Sequence, residues 1–289
     1  MCYKIDGFRH YKQELMNRQS KTLDEYCASV ERFEEWYKSE HNKQRMTRQT
    51  WANIDSTIVQ NWIYELKSTL SKASVQKHIA ALYQFAKFLK IEGDVEENFC
   101  KEIEIPKDKE KKEREYMKVE EAVSMINAID NNYERLMISL MFFQSYRIEE
   151  VSNIQIKNID LENFTINAIR KGGKWQELKV RKEMRDDLAE RVEFCKANGH
   201  KFLFQSPKGE FGITSNAIRN VFIKWLKKLE MNEEYGAHDL RRACVYDLYY
   251  NKGLDLFKVA KYANHSSTNT TMRYLKISMT GLNDELDNL

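Results

Sequence analysis

The sequence predicts a mainly α-helical protein of the α+β class, with a small antiparallel β-sheet in its C-terminal part. Its 289 residues include only two prolines and ten glycines, which favours helical segments. Apolar residues recur at the three- and four-residue spacing of amphipathic helices along much of the chain. Residues 163–181 change to an alternating pattern, which is typical of strands. A chain of this length is expected to form about two domains.

The first domain, residues 1–100, is expected to be a helical bundle with aromatic packing. A helix is expected to start at Thr22, because Thr22 and Glu25 form a capping box ahead of an apolar stripe. Residues 46–55 are polar and predict an irregular segment. Apolar side chains on one face predict further helices within 8–20, from 56 or 57 onwards, and over about 73–90.

Residues 101–118 carry charges of both signs around Pro106 and predict a solvated linker. The second domain, residues 119–289, is expected to begin with a helix followed by a strongly apolar, buried helix. The alternating stretch 163–181 is divided by a pair of glycines and predicts a β-hairpin with lysines at its tip. Helices are then expected over about 182–197, 214–230, 238–251, 255–262 and 267–276.

Composition narrows the class of protein. The formal net charge of +3 does not by itself indicate a nucleic-acid-binding protein, so the distribution of the 47 basic residues matters more. No apolar run approaches the ~20 residues of a membrane span, and the N-terminus shows no signal-peptide pattern. The five cysteines are scattered, which is typical of a reducing, cytoplasmic protein and makes a zinc site unexpected.

Four short motifs together predict the function. They are QSYRIEEV, RKGGKWQELKV, HDLRRA and NHSSTNTTMRYL. Each resembles a motif of the tyrosine recombinases, the phage integrase family, and the four occur in that family's order. The resemblance spans essentially the whole chain. Carried over onto this sequence, the family's catalytic residues are Arg147, Lys171, His238, Arg241, His265 and Tyr274.

The resemblance implies a site-specific DNA recombinase of the simple, Xer-like or transposon and plasmid type. Residues 1–100 would be its core-binding domain and 119–289 its catalytic domain, and the two would clamp a duplex. The enzyme would act as a homotetramer on two DNA sites, through a 3′-phosphotyrosyl link and a Holliday junction, with accessory DNA-binding proteins as possible partners. The outcome would be integration, excision or resolution of a mobile element or replicon.

The residue types suit this chemistry. Attack of a tyrosine on a phosphodiester adds negative charge to the non-bridging oxygens, and Arg147 and Arg241 can bind those oxygens with charge-assisted hydrogen bonds. A phenol has a pKa of ~10 and needs a base, for which His238 is the candidate. His265 would donate a hydrogen bond to the phosphate.

The leaving 5′ oxygen also needs a proton, which a lysine at the hairpin tip can donate. Lys171 fits best, and Lys174 is the alternative because both lie at one turn. Because the phosphotyrosyl link retains the energy of the phosphodiester, no cofactor, ATP or metal is expected.

The DNA-binding candidates lie at the start of the helix over 73–90 and at the hairpin tip. Short polar groups and lysines at a helix N-terminus suit a DNA backbone, although a solvated helix end explains them equally well. The candidates are Lys72, Ser74, Gln76, Lys77 and Lys174.

Taken singly, each catalytic candidate has an ordinary structural explanation. Arg147 could pair with Glu149 or Glu150, His238 could cap a helix, and His265 could be a satisfied core histidine. The set together favours a site, because several coincidences would otherwise be needed.

Two dipeptides depart from the family pattern. Ser145-Tyr146 stands where Gly-Leu usually precedes the first arginine, and Ala263-Asn264 stands where Leu-Gly usually precedes the second histidine.

Two other functions remain open at this point. One is a type IB topoisomerase, which would relax supercoils without recombining two sites. The other is a DNA-binding relative that has lost catalysis and would form no covalent complex.

Overall fold

The chain divides into two units, residues 1–112 and 113–289, and each unit has its own hydrophobic core. The computed structural model describes residues 3–15, 20–103, 115–170 and 173–275. The division falls inside the stretch 101–118 that the sequence predicts as a linker. Because most of that stretch lies outside the described residues, the exact domain bounds stay a prediction.

The N-terminal unit is a helical bundle, as the sequence predicts. A π-helical turn, Tyr11–Leu15, follows its first helix. The longest helix starts two residues before the predicted Thr22, so Thr22 lies in its first turn and the predicted capping box is wrong. The helices are α1 Ile5–His10, α2 Ser20–Glu40, α3 Arg48–Ala52, α4 Ser56–Thr69 and α5 Lys72–Ile91.

Helix α3 corrects the prediction of an irregular segment over 46–55. The hydroxyl of Thr47 accepts the backbone N–H of Thr50 at 3.2 Å and caps the helix. Trp51 is fully buried, with its ring 5.6 Å from that of Phe33 and 5.1 Å from that of Phe85. The segment looks polar in sequence because only three of its ten residues, Met46, Trp51 and Ile54, are buried.

The C-terminal unit is mostly helical around one hydrophobic core, with boundaries that agree with the predicted helices to within a few residues. A 3₁₀ turn, Lys182–Met184, precedes α9, and a π-helical turn, Asp247–Asn251, follows α11. The helices are α6 Val119–Ala128, α7 Asn132–Phe143, α8 Ile148–Ser152, α9 Arg185–Ala197, α10 Ser215–Lys228, α11 Ala237–Tyr246, α12 Leu256–Tyr262 and α13 Thr268–Leu275.

The predicted hairpin is confirmed and forms part of a three-stranded antiparallel sheet in the order β1-β2-β3. The strands are β1 Ile159–Asp160, β2 Thr165–Arg170 and β3 Lys174–Lys179. Gly173 has a φ of +74°, a backbone conformation that glycine adopts without strain. Ile166, Ala168 and Arg170 form the buried face of β2, so an arginine continues an apolar row.

The segment after α7 is held in place from two directions. Its Gln144 side chain donates to the Lys179 carbonyl at the end of β3, at 3.0 Å. The Tyr262 hydroxyl on α12 donates to the Phe143 carbonyl at 2.7 Å. Burial raises the pKa of Tyr262, which keeps this hydroxyl protonated and able to donate. The backbone leading to Arg147 is therefore fixed by both the sheet and α12.

Both departures from the family pattern occur at left-handed backbone positions. Ser145 has a φ of +52° and Asn264 a φ of +47°. Glycine adopts this conformation freely, and a short polar residue tolerates it better than a branched one. The glycine in the family pattern and the residues found here therefore meet the same backbone requirement.

Within the described ranges, no helix combines the length and the apolar character that crossing a membrane requires.

Replacing Asn264 by valine is expected to lower the free energy of unfolding by about 2 kcal/mol, because a β-branched residue is strained at positive φ. Glycine at the same position should change it by less than about 1 kcal/mol. Urea unfolding of the full chain, followed by tryptophan fluorescence, measures both. Lys261→Val, at an exposed helical position nearby, is the control and should cost about 0.5 kcal/mol. Equal losses for the two valine variants would contradict the backbone argument.

Candidate active site

The proposed nucleophile and base meet where α11 and α13 pack together. His238 lies in the first turn of α11, and Tyr274 is near the end of α13. The phenol oxygen of Tyr274 is in hydrogen-bond contact with Nε2 of His238, and the two ring centroids are 5.6 Å apart. His238 does not cap α11, since the Asp239 carboxylate accepts the Gly236 N–H at the helix start instead. The histidine is therefore available to the phenol.

His265 lies between α12 and α13, with its ring centroid 4.9 Å from that of Tyr274. Its Nδ1 contacts the hydroxyl of Thr271 at 2.8 Å. Its Nε2 is buried and has no hydrogen-bond partner among the described residues. A buried polar atom without a partner is costly, so this nitrogen marks a place where a ligand oxygen would be stabilised.

Arg241 is fully buried on α11, one turn after His238. Its guanidinium donates to the backbone carbonyls of Ser145 and Ala263, which are the first residues of the two departures from the family pattern. Its Nε is buried without a partner among the described residues. Arg241 thus joins the segment before Arg147 to the segment before His265.

Arg147 immediately precedes α8 and is 22% exposed at its side chain. The Glu150 carboxylate accepts its backbone N–H at 2.8 Å and its guanidinium at 2.9 Å. The ion pair that the sequence suggested as an ordinary explanation is therefore present. It orients the arginine, because a carboxylate that binds both the main chain and the side chain restricts the rotamer.

Electrostatics keeps both histidines neutral near pH 7. Desolvation, followed by the charges of Arg241 and Arg147, lowers the pKa of His238 to about 4. The same causes lower the pKa of His265 to about 3. Desolvation and the neighbouring guanidiniums also lower the pKa of Arg241 to about 10, which leaves it charged. The site is therefore rich in positive charge and contains two neutral imidazoles.

The remaining candidates are located less fully. Lys171 lies outside the described residues, as does the side chain of Lys174, whose backbone pairs with that of Arg170. Lys72, Ser74, Gln76 and Lys77 occupy the first two turns of α5 in the N-terminal unit. There the Ser71 hydroxyl contacts the Ser74 hydroxyl at 3.0 Å as part of the helix cap, whereas Lys77 is exposed.

Three residues near the site were missed by sequence reasoning. Thr271 precedes Tyr274 by three positions, a spacing that places both on one face of α13 and could have indicated it. Arg170 continues the alternating buried positions of β2, and that alternation is its only sequence signal. Tyr262 has no signal in the sequence, because its hydrogen-bond partners are 118 and 119 positions away.

Across the described part of the chain, no three His, Cys, Asp or Glu side chains gather in a way that could hold a metal ion.

Comparison with known proteins gives a consistent family. The phage integrase family model matches residues 115–280, and its N-terminal SAM-like domain model matches residues 5–93. Tyrosine recombinase XerC of Oceanobacillus iheyensis is 24% identical over 97% of this chain and 93% of its own. Tyrosine recombinase XerH of Campylobacter jejuni is 26% identical over 76% of this chain and 67% of its own.

The fold agrees with these matches. A solved structure of the XerH site-specific recombinase in a post-cleavage complex with its palindromic difH substrate has a TM-score of 0.72. It is 19% identical, over 98% of this chain and 83% of that one. With both domain models matched in the family's order, and a catalytic-domain match over more than half of its length, the chain belongs to the phage integrase family, the tyrosine recombinases.

Proposed function

We propose that this site-specific recombinase cleaves DNA with Tyr274 as its nucleophile and His238 as the base. The observation that carries the proposal is the contact between the Tyr274 phenol and Nε2 of His238, beside two arginines. The phenol oxygen would attack the scissile phosphorus as the bond from phosphorus to the 5′ oxygen breaks. A 3′-phosphotyrosyl link and a free 5′ hydroxyl would result, and attack by a second 5′ hydroxyl would reverse the step.

The neutral state of His238 supports its role as base. A neutral imidazole with its proton on Nδ1 can accept the phenol proton at Nε2, whereas an imidazolium cannot. With a pKa of about 4, His238 is neutral at physiological pH. Its position against the phenol satisfies the geometric requirement for a general base.

Three groups would bind the phosphate. Arg147 and Arg241 supply positive charge where negative charge develops, and Arg241 has a buried Nε that is not otherwise bonded within the described residues. The Thr271 hydroxyl can donate to Nδ1 of His265 and so place the imidazole proton on Nε2. That Nε2–H would then donate to a non-bridging oxygen.

The proton for the leaving 5′ oxygen would come from Lys171 at the hairpin tip, with Lys174 as the alternative. Protonation at this oxygen removes the need to expel an alkoxide. Arg170 ends β2 and is buried, and its guanidinium lies 3.2 Å from the Glu150 carboxylate that also binds Arg147. Lys171 follows Arg170 directly in the sequence, which supports a lysine of this hairpin as the donor.

The enzyme would act in the cytoplasm on double-stranded DNA, as a homotetramer on two recombination sites and through a Holliday junction, with accessory DNA-binding proteins where a site requires them. Lys72, Ser74, Gln76 and Lys77 at the start of α5 would contact the duplex backbone, as would Lys174. Backbone contacts of this kind release counterions, so binding would weaken as salt rises. The match to a SAM-like domain of integrases over residues 5–93 supports a role for the N-terminal unit in binding DNA.

Tyr274→Phe is expected to abolish covalent complex formation, because the variant has no nucleophilic oxygen. The substrate is a duplex whose site has been selected by binding from a random-sequence pool and whose scissile strand is nicked, so that the short cleaved fragment diffuses away. Denaturing gel electrophoresis measures the adduct. Tyr246→Phe, at an exposed tyrosine of α11, is the matched control and should retain it. An adduct formed by the Tyr274 variant would assign the nucleophile elsewhere.

Replacing both His238 and His265 by glutamine is expected to flatten the pH dependence of stability between about pH 6.5 and 4. In that range the unfolded chain protonates its histidines, whereas the folded protein keeps these two neutral, since their pKa values are about 4 and 3. The unfolded state therefore binds more protons, and wild-type stability falls as the pH drops. Urea midpoints at several pH values measure the slope. An unchanged slope would contradict the lowered pKa values.

Lys171→Ala is expected to slow cleavage by about 10²–10⁴-fold with an ordinary phosphodiester, because the 5′ oxygen loses its proton donor. A substrate with sulfur in place of that bridging 5′ oxygen should restore the rate, since a thiolate leaves without protonation. Single-turnover cleavage measures both rates, and Lys174→Ala is the matched comparison. Rescue by sulfur in the Lys174 variant alone would assign the role to Lys174.

A further inference from the structure

Arg170 at the end of β2 is a charged side chain with no exposed surface. Isolating a guanidinium from water is costly unless nearby groups compensate the charge. Three groups do so. The Glu150 carboxylate lies 3.2 Å from its Nε, the Ser145 carbonyl accepts its Nη2–H at 3.2 Å, and the Tyr146 ring centroid lies 4.5 Å from its Cζ. All three belong to the segment that carries Arg147.

The groups that bind Arg170 also bind the two arginines assigned to the phosphate. Glu150 accepts the guanidinium of Arg147 at Oε1 and the backbone N–H of Arg147 at Oε2, and Oε2 also lies 3.2 Å from Nε of Arg170. The Ser145 carbonyl accepts hydrogen bonds from both Arg170 and Arg241. Arg170 therefore shares one partner with each of the other arginines, and removing it would leave the Glu150 carboxylate and the Ser145 carbonyl each with one contact fewer.

The charges in this cluster do not balance. Among the described residues, three guanidiniums, those of Arg147, Arg170 and Arg241, lie around one carboxylate, that of Glu150. Desolvation is the main cause that lowers the pKa of Arg170, and repulsion from Arg147 adds to it. Repulsion from Arg147 and Arg170 likewise contributes to the lowered pKa of Arg241. A phosphodiester bound beside the cluster would supply the missing negative charge.

We propose that Arg170 is a positioning residue for the phosphate-binding arginines. It fixes the Glu150 carboxylate and the Ser145 carbonyl, and its charge adds to the positive potential that attracts the scissile phosphate. It does not contact DNA itself, because its side chain has no exposed surface. The inference deepens the proposed function and rests on it, since it assumes that Arg147 and Arg241 bind the phosphate.

Tyr146 is the partner that makes this arrangement possible. The family pattern has leucine at this position, which would offer no ring to a guanidinium. A desolvated cation–π contact stabilises the buried charge where only one carboxylate is close. Tyr146 and Arg170 therefore act as a pair, and Tyr146→Leu should reproduce part of the effect of removing the arginine.

Arg170→Met removes the charge and retains much of the side-chain volume. Single-turnover cleavage of the selected nicked duplex is expected to slow by about 10²-fold, whereas the Kd for the duplex changes by less than about threefold. Arg170→Lys retains a positive charge without the guanidinium fork and should cleave about tenfold faster than Arg170→Met. Arg185→Met is the matched control. Arg185 also stacks on a ring, that of Phe164, and donates to the Val180 carbonyl, but it has no contact with the cluster.

A second readout needs no DNA. Nuclear magnetic resonance of the histidine rings measures the pKa of His265 and the binding of inorganic phosphate. Because the charge of Arg170 contributes to lowering the pKa of His265, Arg170→Met should raise that pKa and weaken phosphate binding by about tenfold or more. Arg185→Met should change neither. Thermal denaturation establishes whether each variant is folded. If Arg170→Met is unfolded, both measurements are made on Arg170→Lys instead.

The outcomes are separable. If Arg170→Met cleaves as fast as Arg185→Met and binds phosphate as the wild type does, Arg170 has only a structural role and the inference is overturned. If the wild type forms no covalent complex on any selected duplex, the proposed function fails, while the effect of Arg170 on phosphate binding and on His265 can still be measured.

Discussion

The carbonyl oxygen of Ser145 accepts hydrogen bonds from two buried guanidiniums, and the geometry of the candidate site depends on this shared acceptor. Arg241 reaches it from α11 and Arg170 from β2, so one backbone atom joins a helix, the sheet and the segment that carries Arg147. The carbonyl points toward them because Ser145 adopts a positive φ, which turns the chain sharply after α7. The Tyr262 hydroxyl of α12 donates to the Phe143 carbonyl, and the Gln144 side chain donates to the Lys179 carbonyl of β3, so both elements hold the same turn. A strained residue of this kind persists only where its surroundings fix it from several sides.

The consequence of this arrangement is electrostatic. Three arginines lie close to one carboxylate among the described residues, and desolvation together with repulsion between the guanidiniums lowers the pKa values of Arg170 and Arg241. Desolvation, followed by the same positive charge, keeps His238 and His265 neutral, which suits their proposed roles as base and hydrogen-bond donor. An anion bound beside these arginines would offset their mutual repulsion, which is the condition that the proposed cleavage of a phosphodiester requires. Complementarity of this kind, fixed before the substrate arrives, is the usual source of electrostatic catalysis.

Most of the secondary structure could be predicted from local patterns. The helices of the C-terminal unit, the hairpin, α4 and α5 follow from apolar periodicity, and the boundaries differ from expectation by a few residues. The two errors differ in kind. The start of α2 is a boundary that differs by two residues, whereas the existence of α3 is decided by packing, since Trp51 is buried against aromatic rings from other helices. A five-residue helix with one anchoring side chain has no repeat from which periodicity can be detected.

The sequence by itself determined the fold class, the family and the identity of six candidate catalytic residues, because motif spacing and residue chemistry are local properties of the chain. The tertiary structure decided how five of these candidates are arranged. It placed the phenol of Tyr274 against His238 and gave His265 a hydroxyl partner in Thr271. It also bound Arg147 to the Glu150 carboxylate and Arg241 to the Ser145 carbonyl, two groups that Arg170 contacts as well. Arg170 and Tyr146 could not be identified as a pair beforehand, because their contact exists only once folding brings together two positions 24 apart in the sequence. Long-range contacts depend on packing among elements, and neither spacing nor composition encodes that packing directly.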